Sequence, residues 1–231
     1  MSGHDESVND PLHHFPWLAP DRPWVPPEHA TPEGIVGVGG DLRPDTLLKA
    51  YADGVFPWFN AGDPVIWWSP DPRGIIPLDT FHVPRRLAAT VRRGRFRVTF
   101  DERFSEVIRR CGENRPEGTW VTDEMVAAYT ALHRRGHAHS AEAWMGDELV
   151  GGVYGVSVGG LFAGESMFHR ERDASKVALV ALLMRLRERG FVLFDTQIVN
   201  AHTAQFGATD VPRSEYLRRL EVAVKVDVRF D

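Results

Sequence analysis

Residues 139–200 constrain the fold more than any other part of this chain. HSAEAWMGDELVGGVYGVSVGGLFAGESMF is apolar, with breaks at Gly146-Asp147 and Gly159-Gly160, which predicts several strands joined by turns. DASKVALVALLMRLRERG then reads as a helix, with Asp173 at its N-cap and Gly190 closing it. FVLFDTQIVN follows as a buried strand dominated by Val, Leu, Ile and Phe. Strands on both sides of one helix, with further helices before them, predict a mixed α/β domain.

The last strand carries Asp195 and Gln197 in its middle. Side chains alternate along a strand, so these two share one face. A buried carboxylate or amide is costly without partners, so both need some. If GLFAGESMF lies beside this strand, Glu165 joins Asp195 and Gln197 at one end of a sheet, where ligands bind in α/β folds. Simple alternation puts Glu165 and Met167 on one face and Phe162 on the other, and Gly164 can host a bulge that brings Phe162 round. Two acids and an amide beside glycines make a candidate site, although capped loops also use carboxylates in this way.

Before this region, RPDTLLKAYADG predicts a helix with Pro44 at its first position and Gly54 just past its end. The proline- and tryptophan-rich stretch 15–32 reads as extended and irregular, and residues 1–14 as disordered. VFPWFNAGDPVIWWSPDPRGIIPL reads as loops and short strands joining two lobes. PRRLAATVRRG, DERFSEVIRRCGEN and TDEMVAAYTALHRRGH predict helices, the last capped by Thr122, and RFRVTFD a strand. PRSEYLRRL predicts a final helix and VKVDVRF a final strand.

Charge is uneven. The chain carries a formal −5, yet residues 85–110 hold nine arginines against three acids. Such asymmetry points to a polyanion on one face. Phe56, Trp58, Phe59, Trp67, Trp68 and Trp120 are many rings for loops; most should form a core between lobes, with one or two free to touch ligand. Cys111 is the single cysteine, so no disulfide forms within the chain and a reducing cytoplasm is expected. The N-terminus lacks the pattern of a signal peptide, and no apolar run is long enough to span a membrane. Gly155–Gly159 fits G-x-S-x-G, but a second strand follows Ser157 where a nucleophile elbow needs a helix. His133, His137 and His139 lack a carboxylate at a metal-binding spacing, so no metal is expected.

Together GVGGDLRPDTLLKAYADGVFPWF, WWSPDPRG, EGTWVTDEMVAAYTALHRRGHAHSAEAW, ELVGGVYGV, LFAGESMF, ASKVAL, DTQ and HTAQFGA with VPRSEYL closely resemble the bacterial leucyl/phenylalanyl-tRNA–protein transferases, from about residue 34 to 220. The resemblance implies an α+β protein with a small N-terminal α/β lobe (15–71) and a C-terminal acetyltransferase-like (GNAT) domain with a mixed sheet (72–231). It implies transfer of Leu, Phe or Met from aminoacyl-tRNA to the α-amine of proteins beginning with Arg or Lys, creating an N-degron. It also implies no cofactor; the sequence itself, with no coiled coil, no apolar stripe and no membrane-spanning run, leads to the expectation of a monomer without membrane association.

By match to the family, Asp195 and Gln197 lie on the active-site strand. Asp195 is expected to orient the amine and relay its proton, Gln197 to hold the ester or oxyanion, and Glu165 to pair with the polar network or the incoming cation. Val153, Phe162, Met167 and Leu182 are implied as pocket walls, with Val153 and Leu182 standing where methionine and phenylalanine are familiar. Thr196 replaces a frequent cysteine and is expected to face away with little effect. Trp58 and Trp120 are implied near the pocket and the terminal adenosine. Arg85, Arg86, Arg92, Arg93, Arg95 and Arg97 are expected to meet tRNA phosphates. Two alternatives stay open: a CoA-dependent N-acetyltransferase of the same fold, against which HRERDASK has no glycine loop, and a non-catalytic tRNA-binding protein.

Overall fold

The computed structural model describes residues 15, 17–18, 24–113, 119 and 121–231. The expectations for residues 1–14 and for Trp120 lie outside the described residues. Near the N-terminus come β1 (Trp17–Leu18), β2 (Ile35–Gly39), α1 (Pro44–Ala52), β3 (Phe56–Pro57) and β4 (Ile66–Trp68). The four strands form one small sheet in the order β1-β2-β4-β3. Pro44 opens α1, and Gly54 follows it with a φ of 79°, a conformation that suits glycine.

The larger sheet begins with β5 (Arg73–Ile76). It continues through α2 (Arg85–Arg92), β6 (Arg97–Phe100), α3 (Phe104–Gly112), α4 (Asp123–Arg134), β7 (Ala138–Met145), β8 (Glu148–Val158) and β9 (Leu161–His169). After these come α5 (Ala174–Glu188), β10 (Leu193–Gln197), α6 (Ala201–Ala204), β11 (Thr209–Val211) and α7 (Arg213–Ala223). Its seven strands run β11-β5-β10-β9-β8-β7-β6. Only β9 and β10 are parallel neighbours, so the sheet is mixed. The expected turns at Gly146-Asp147 and Gly159-Gly160 join β7 to β8 and β8 to β9. Thr122 caps α4 by accepting a hydrogen bond from the Met125 N–H.

Both faces of this sheet are covered. On one face α5 packs across β7, β8 and β9, and α2 packs on α5. Phe162, Leu179, Leu182 and Phe194 belong to the apolar cluster there. On the other face lie α3 and α4, with α1 against α4 and α7 against β10. Tyr51, Trp67, Tyr129, Leu193 and Tyr216 share that second cluster, which is continuous with the small sheet.

Two expectations fail. VKVDVRF forms no strand. Its alternation is used differently: Val226 lies over Gly160, Val228 over Gly190, and Phe230 enters the core with its carbonyl accepting from Arg185 Nε. Asp173 stands before α5 but makes no capping bond, because its φ of 70° turns it out of the cap geometry.

Candidate active site

The parallel pairing of β9 and β10 ends at Ala163 and Asp195. Beyond that point each strand carries an extra residue. On β9, Gly164 opposes Gly155 and Ser166 opposes Tyr154, which leaves Glu165 unpaired in a bulge. On β10, Asp195 opposes Ile75 and Gln197 opposes Gly74, which leaves Thr196 unpaired. Gln197 itself has a φ of 63°, an uncommon conformation for a residue with a side chain. The irregularity that Gly164 suggests thus falls one residue later, and it re-aims Glu165. Phe162 stays packed in the core, stacked on Phe194.

The structure brings Glu165, Asp195 and Gln197 into one chain of hydrogen bonds. Gln197 Nε2 donates to Glu165 Oε1 at 2.9 Å, and the Gln197 backbone N–H donates to Asp195 Oδ1 at 2.7 Å. Asp195 is fully buried. Arg73 Nε donates to Asp195 Oδ1 at 2.9 Å, Arg73 Nη2 to Oδ2 at 2.6 Å, and the Tyr216 hydroxyl to Oδ2 at 2.8 Å. Arg73 also donates to the Gly54 carbonyl at 3.0 Å and lies between the rings of Phe56 and Tyr216. Burial works against the Arg73 charge, but the Asp195 carboxylate outweighs it and raises the guanidinium above its ordinary range.

Both Asp195 oxygens are occupied and enclosed, by Arg73 and Tyr216 and by the Gln197 N–H, whereas the expected role in meeting the amine would need one of them to be reached. Asp195 pins the backbone of Gln197 in its unusual conformation. Gln197 Oε1 takes no hydrogen bond among the described residues, so this carbonyl is available to a ligand.

Glu165 keeps part of its surface open. The Tyr129 hydroxyl donates to Glu165 Oε2 at 3.5 Å and pairs with the Tyr51 hydroxyl at 2.5 Å. Burial pushes the Glu165 carboxyl up to about 8; the Asp195 charge adds to that, while Tyr51, Arg73 and Gln197 pull the other way. Burial, reinforced by the Glu165 charge, likewise holds the Tyr51 and Tyr129 hydroxyls well above the usual phenol range. A carboxyl poised near neutrality beside an amide carbonyl can attract a cation or accept a proton.

A cavity of about 390 Å³ opens beside this group. Ile76, Val153, Met167, Leu179 and Phe194 give it an apolar wall, and Glu165, His169, Asn200, His202 and Thr203 give it a polar one. Of the sequence-predicted walls, Val153 and Met167 line it. Phe162 and Leu182 do not: both are wholly buried in the apolar cluster behind it. Thr196 faces this cavity, on the opposite face from Asp195 as alternation demands, and its Oγ1 is buried without a partner. Trp58 is 45% exposed, tilted against Trp68, and does not line the cavity. Among the described residues, no group of His, Cys, Asp and Glu is arranged to hold a metal ion. Ser157 lies inside β8, with a turn and another strand after it, so no nucleophile elbow forms.

Sequence reasoning missed Arg73, Tyr51, Tyr129 and Tyr216. Only Arg73 carried a signal: a lone guanidinium at the head of the apolar run RGIIPL, which needs a buried anion. The six arginines expected at tRNA are all exposed. Arg95 pairs with Glu171 and Arg97 lies near Glu102, whereas no ion pair neutralises Arg85, Arg86, Arg92 or Arg93 among the described residues.

Residues 75–221 match the model of the leucyl/phenylalanyl-tRNA protein transferase family, and residues 40–71 match the model of that family's N-terminal domain. The chain belongs to this family. It is 54% identical over 210 residues to the leucyl/phenylalanyl-tRNA–protein transferase of Anaeromyxobacter sp. (strain K), covering 89% of this chain and 90% of that one. It is 50% identical over 219 residues to the transferase of Nitratidesulfovibrio vulgaris (strain DP4), covering 93% and 94%. Among solved structures it is similar to L-PGS from Bacillus licheniformis at 15% identity and a TM-score of 0.40, covering 71% of this chain and 53% of that one, a likeness too slight to argue from. The protein is therefore an aminoacyltransferase that uses aminoacyl-tRNA and a protein substrate. No helix among the described residues is long and apolar enough to cross a membrane.

Proposed function

We propose that this transferase moves Leu, and also Phe or Met, from aminoacyl-tRNA to the α-amine of proteins that begin with Arg or Lys. The product would carry an N-degron and be marked for proteolysis in the cytoplasm. The observation that carries this reading is the position of Glu165: a carboxyl enclosed by tyrosines, held by Gln197, at the edge of an apolar cavity. A cationic first residue of the acceptor supplies the charge that such a carboxyl lacks, and its arrival favours the ionised form.

The reaction is the aminolysis of an ester. The cavity wall of Ile76, Val153, Met167, Leu179 and Phe194 takes the aminoacyl side chain, with Phe162 and Leu182 setting the shape from behind. Met167 adapts to more than one apolar shape. The acceptor amine approaches between Glu165 and Gln197, whose Oε1 accepts a hydrogen bond from it. The amine nitrogen attacks the ester carbonyl, the ribose oxygen leaves, and the amine's proton passes to that oxygen through the Gln197–Glu165 pair. Asp195 and Arg73 keep Gln197 in place. The ester is already activated, so holding the reactants in register supplies much of the rate.

We assign the exposed arginines of α2, with Arg93, Arg95 and Arg97, to tRNA phosphates, and Trp58 to the rim near the terminal nucleotides. The parting of β9 and β10 supports an acetyltransferase-like (GNAT) architecture for 72–231, with 15–71 as the small lobe, and the chain acts as a monomer without a cofactor.

The test is to mix the protein with Leu-tRNA and a peptide beginning with Arg, beside one beginning with Gly, and follow leucine onto the peptide. Transfer to the Arg peptide alone supports the reading. Transfer to both at equal rate removes the acceptor assignment, and no transfer from a bound tRNA removes the site assignment.

A further inference from the structure

Thr196 and His202 both line this cavity, and each carries a buried side-chain polar atom without a hydrogen-bond partner, Thr196 Oγ1 and His202 Nε2. Buried polar atoms are nearly always paired, so such an orphan at a cavity wall marks a place for a ligand atom. His202 is also held firmly. Asn200 Oδ1 accepts from the His202 and Thr203 backbone N–H groups at 2.9 Å each, and Thr203 Oγ1 accepts from the Asn200 N–H at 3.0 Å. This capping box fixes α6 at its start. The ring is tilted against Phe206.

The place of His202 in the cavity says which ligand atom it meets. The cavity's polar wall gathers at the C-terminal ends of β9 and β10, from His169, Asn200, His202 and Thr203, whereas Ile76, Leu179 and Phe194 lie on its apolar side. A ligand that is apolar at one end and polar at the other runs from that wall to this one. Resting on the reading above, its side chain lies at the apolar wall, its ester in between, and its ribose against α6.

We infer that His202 Nε2 makes a hydrogen bond with the 2′-hydroxyl of the terminal adenosine, next to the ester that reacts. Burial lowers the His202 pKa, and the nearby Lys176 and His169 charges lower it further, so the ring is neutral near pH 7 and can pair with a hydroxyl. Lys176 is the fixed cation nearby for a phosphate; a neutral imidazole suits a hydroxyl instead.

The test is a cycle between protein and substrate. Leucine transfer to an Arg peptide is measured for the intact protein and for His202→Ala, each with Leu-tRNA ending in adenosine or in 2′-deoxyadenosine. The intact protein should lose about fivefold to tenfold in kcat/KM on the deoxy substrate, the worth of one hydrogen bond. His202→Ala should be slower with the normal substrate and lose nothing further with the deoxy one. His202→Gln, which keeps a polar atom, should regain part of the difference. A protein impaired only by misfolding would still lose the full factor, so the coupling reads the hydrogen bond itself. Equal losses in both proteins, or no loss in the intact one, would overturn the assignment; absence of transfer in the intact protein would instead count against the function proposed above.

Discussion

Asp195 and Arg73 lie 122 residues apart in sequence and meet through two hydrogen bonds with almost no exposure. Removing one partner strands the other charge, which costs about 3–5 kcal/mol. Asp195→Ala should therefore lower urea-unfolding stability by an amount of that order and abolish most transfer. Pairing Arg73→Met with Asp195→Leu should recover much of the stability while leaving transfer low, because nothing then holds Gln197. Restored activity in that double variant would refute the positioning role.

Glu165 makes the pH prediction. Its folded value is raised to about 8, so it is protonated in the fold over a range where the unfolded chain, near 4.3, is ionised. Its contribution to stability is complete below the unfolded value and is lost as pH rises through about 8. Glu165→Gln should flatten that fall, seen as a urea midpoint that changes less between pH 5 and about 8. An unchanged slope would mean that the carboxyl is not held in this way.

The meeting of Asp195, Gln197 and Glu165 was legible because an acid and an amide in an apolar strand need partners there. Arg73, Tyr51, Tyr129 and Tyr216 were not. They come from four distant elements, and a tyrosine in an amphipathic helix looks like any other core residue. Alternation named the right face for Thr196, but only the structure reveals that this face is the cavity.

At the scale of elements, the site exists because two neighbouring strands are interrupted side by side. Gly74 makes this possible on β10. A Cβ there would stand 2.7 Å from Thr196 Oγ1 and 2.9 Å from the Val199 backbone nitrogen. Gly74→Ala should push the Thr196–Val199 segment outward and cut transfer at least tenfold, while costing only about 1–2 kcal/mol in unfolding, as for local overpacking. Transfer at the normal rate would show that the segment's place is immaterial. Helices and turns were readable from caps and glycines, as Pro44, Thr122 and Gly190 illustrate. The final VKVDVRF segment was not, since alternation records only which side chains are buried and says nothing of whether a ladder partner exists.

Across the whole molecule, the net charge of −5 conceals four arginines, three on α2 and Arg93 just after it, that no ion pair neutralises among the described residues. Replacing Arg85, Arg86, Arg92 and Arg93 with glutamine should weaken tRNA binding and make it less dependent on salt. The log–log slope should fall by about 0.7–0.9 for each phosphate that the variant no longer neutralises. Titrations over a range of salt concentrations check this, and an unchanged slope would move the tRNA to another face. The core joins both sheets through Tyr51, Trp67 and Tyr129, and Gly54 ties the small sheet directly to Arg73, so the site depends on both sheets being in register.

On the function proposed above, Glu165 reads the positive charge of the acceptor. The most direct measurement compares leucine transfer from Leu-tRNA to two peptides, one beginning with arginine and one with citrulline, its neutral isostere. The intact protein should favour arginine by tenfold or more, the order of one charged hydrogen bond, and Glu165→Gln should favour neither. A Glu165→Gln protein that keeps the full preference for arginine would contradict the account.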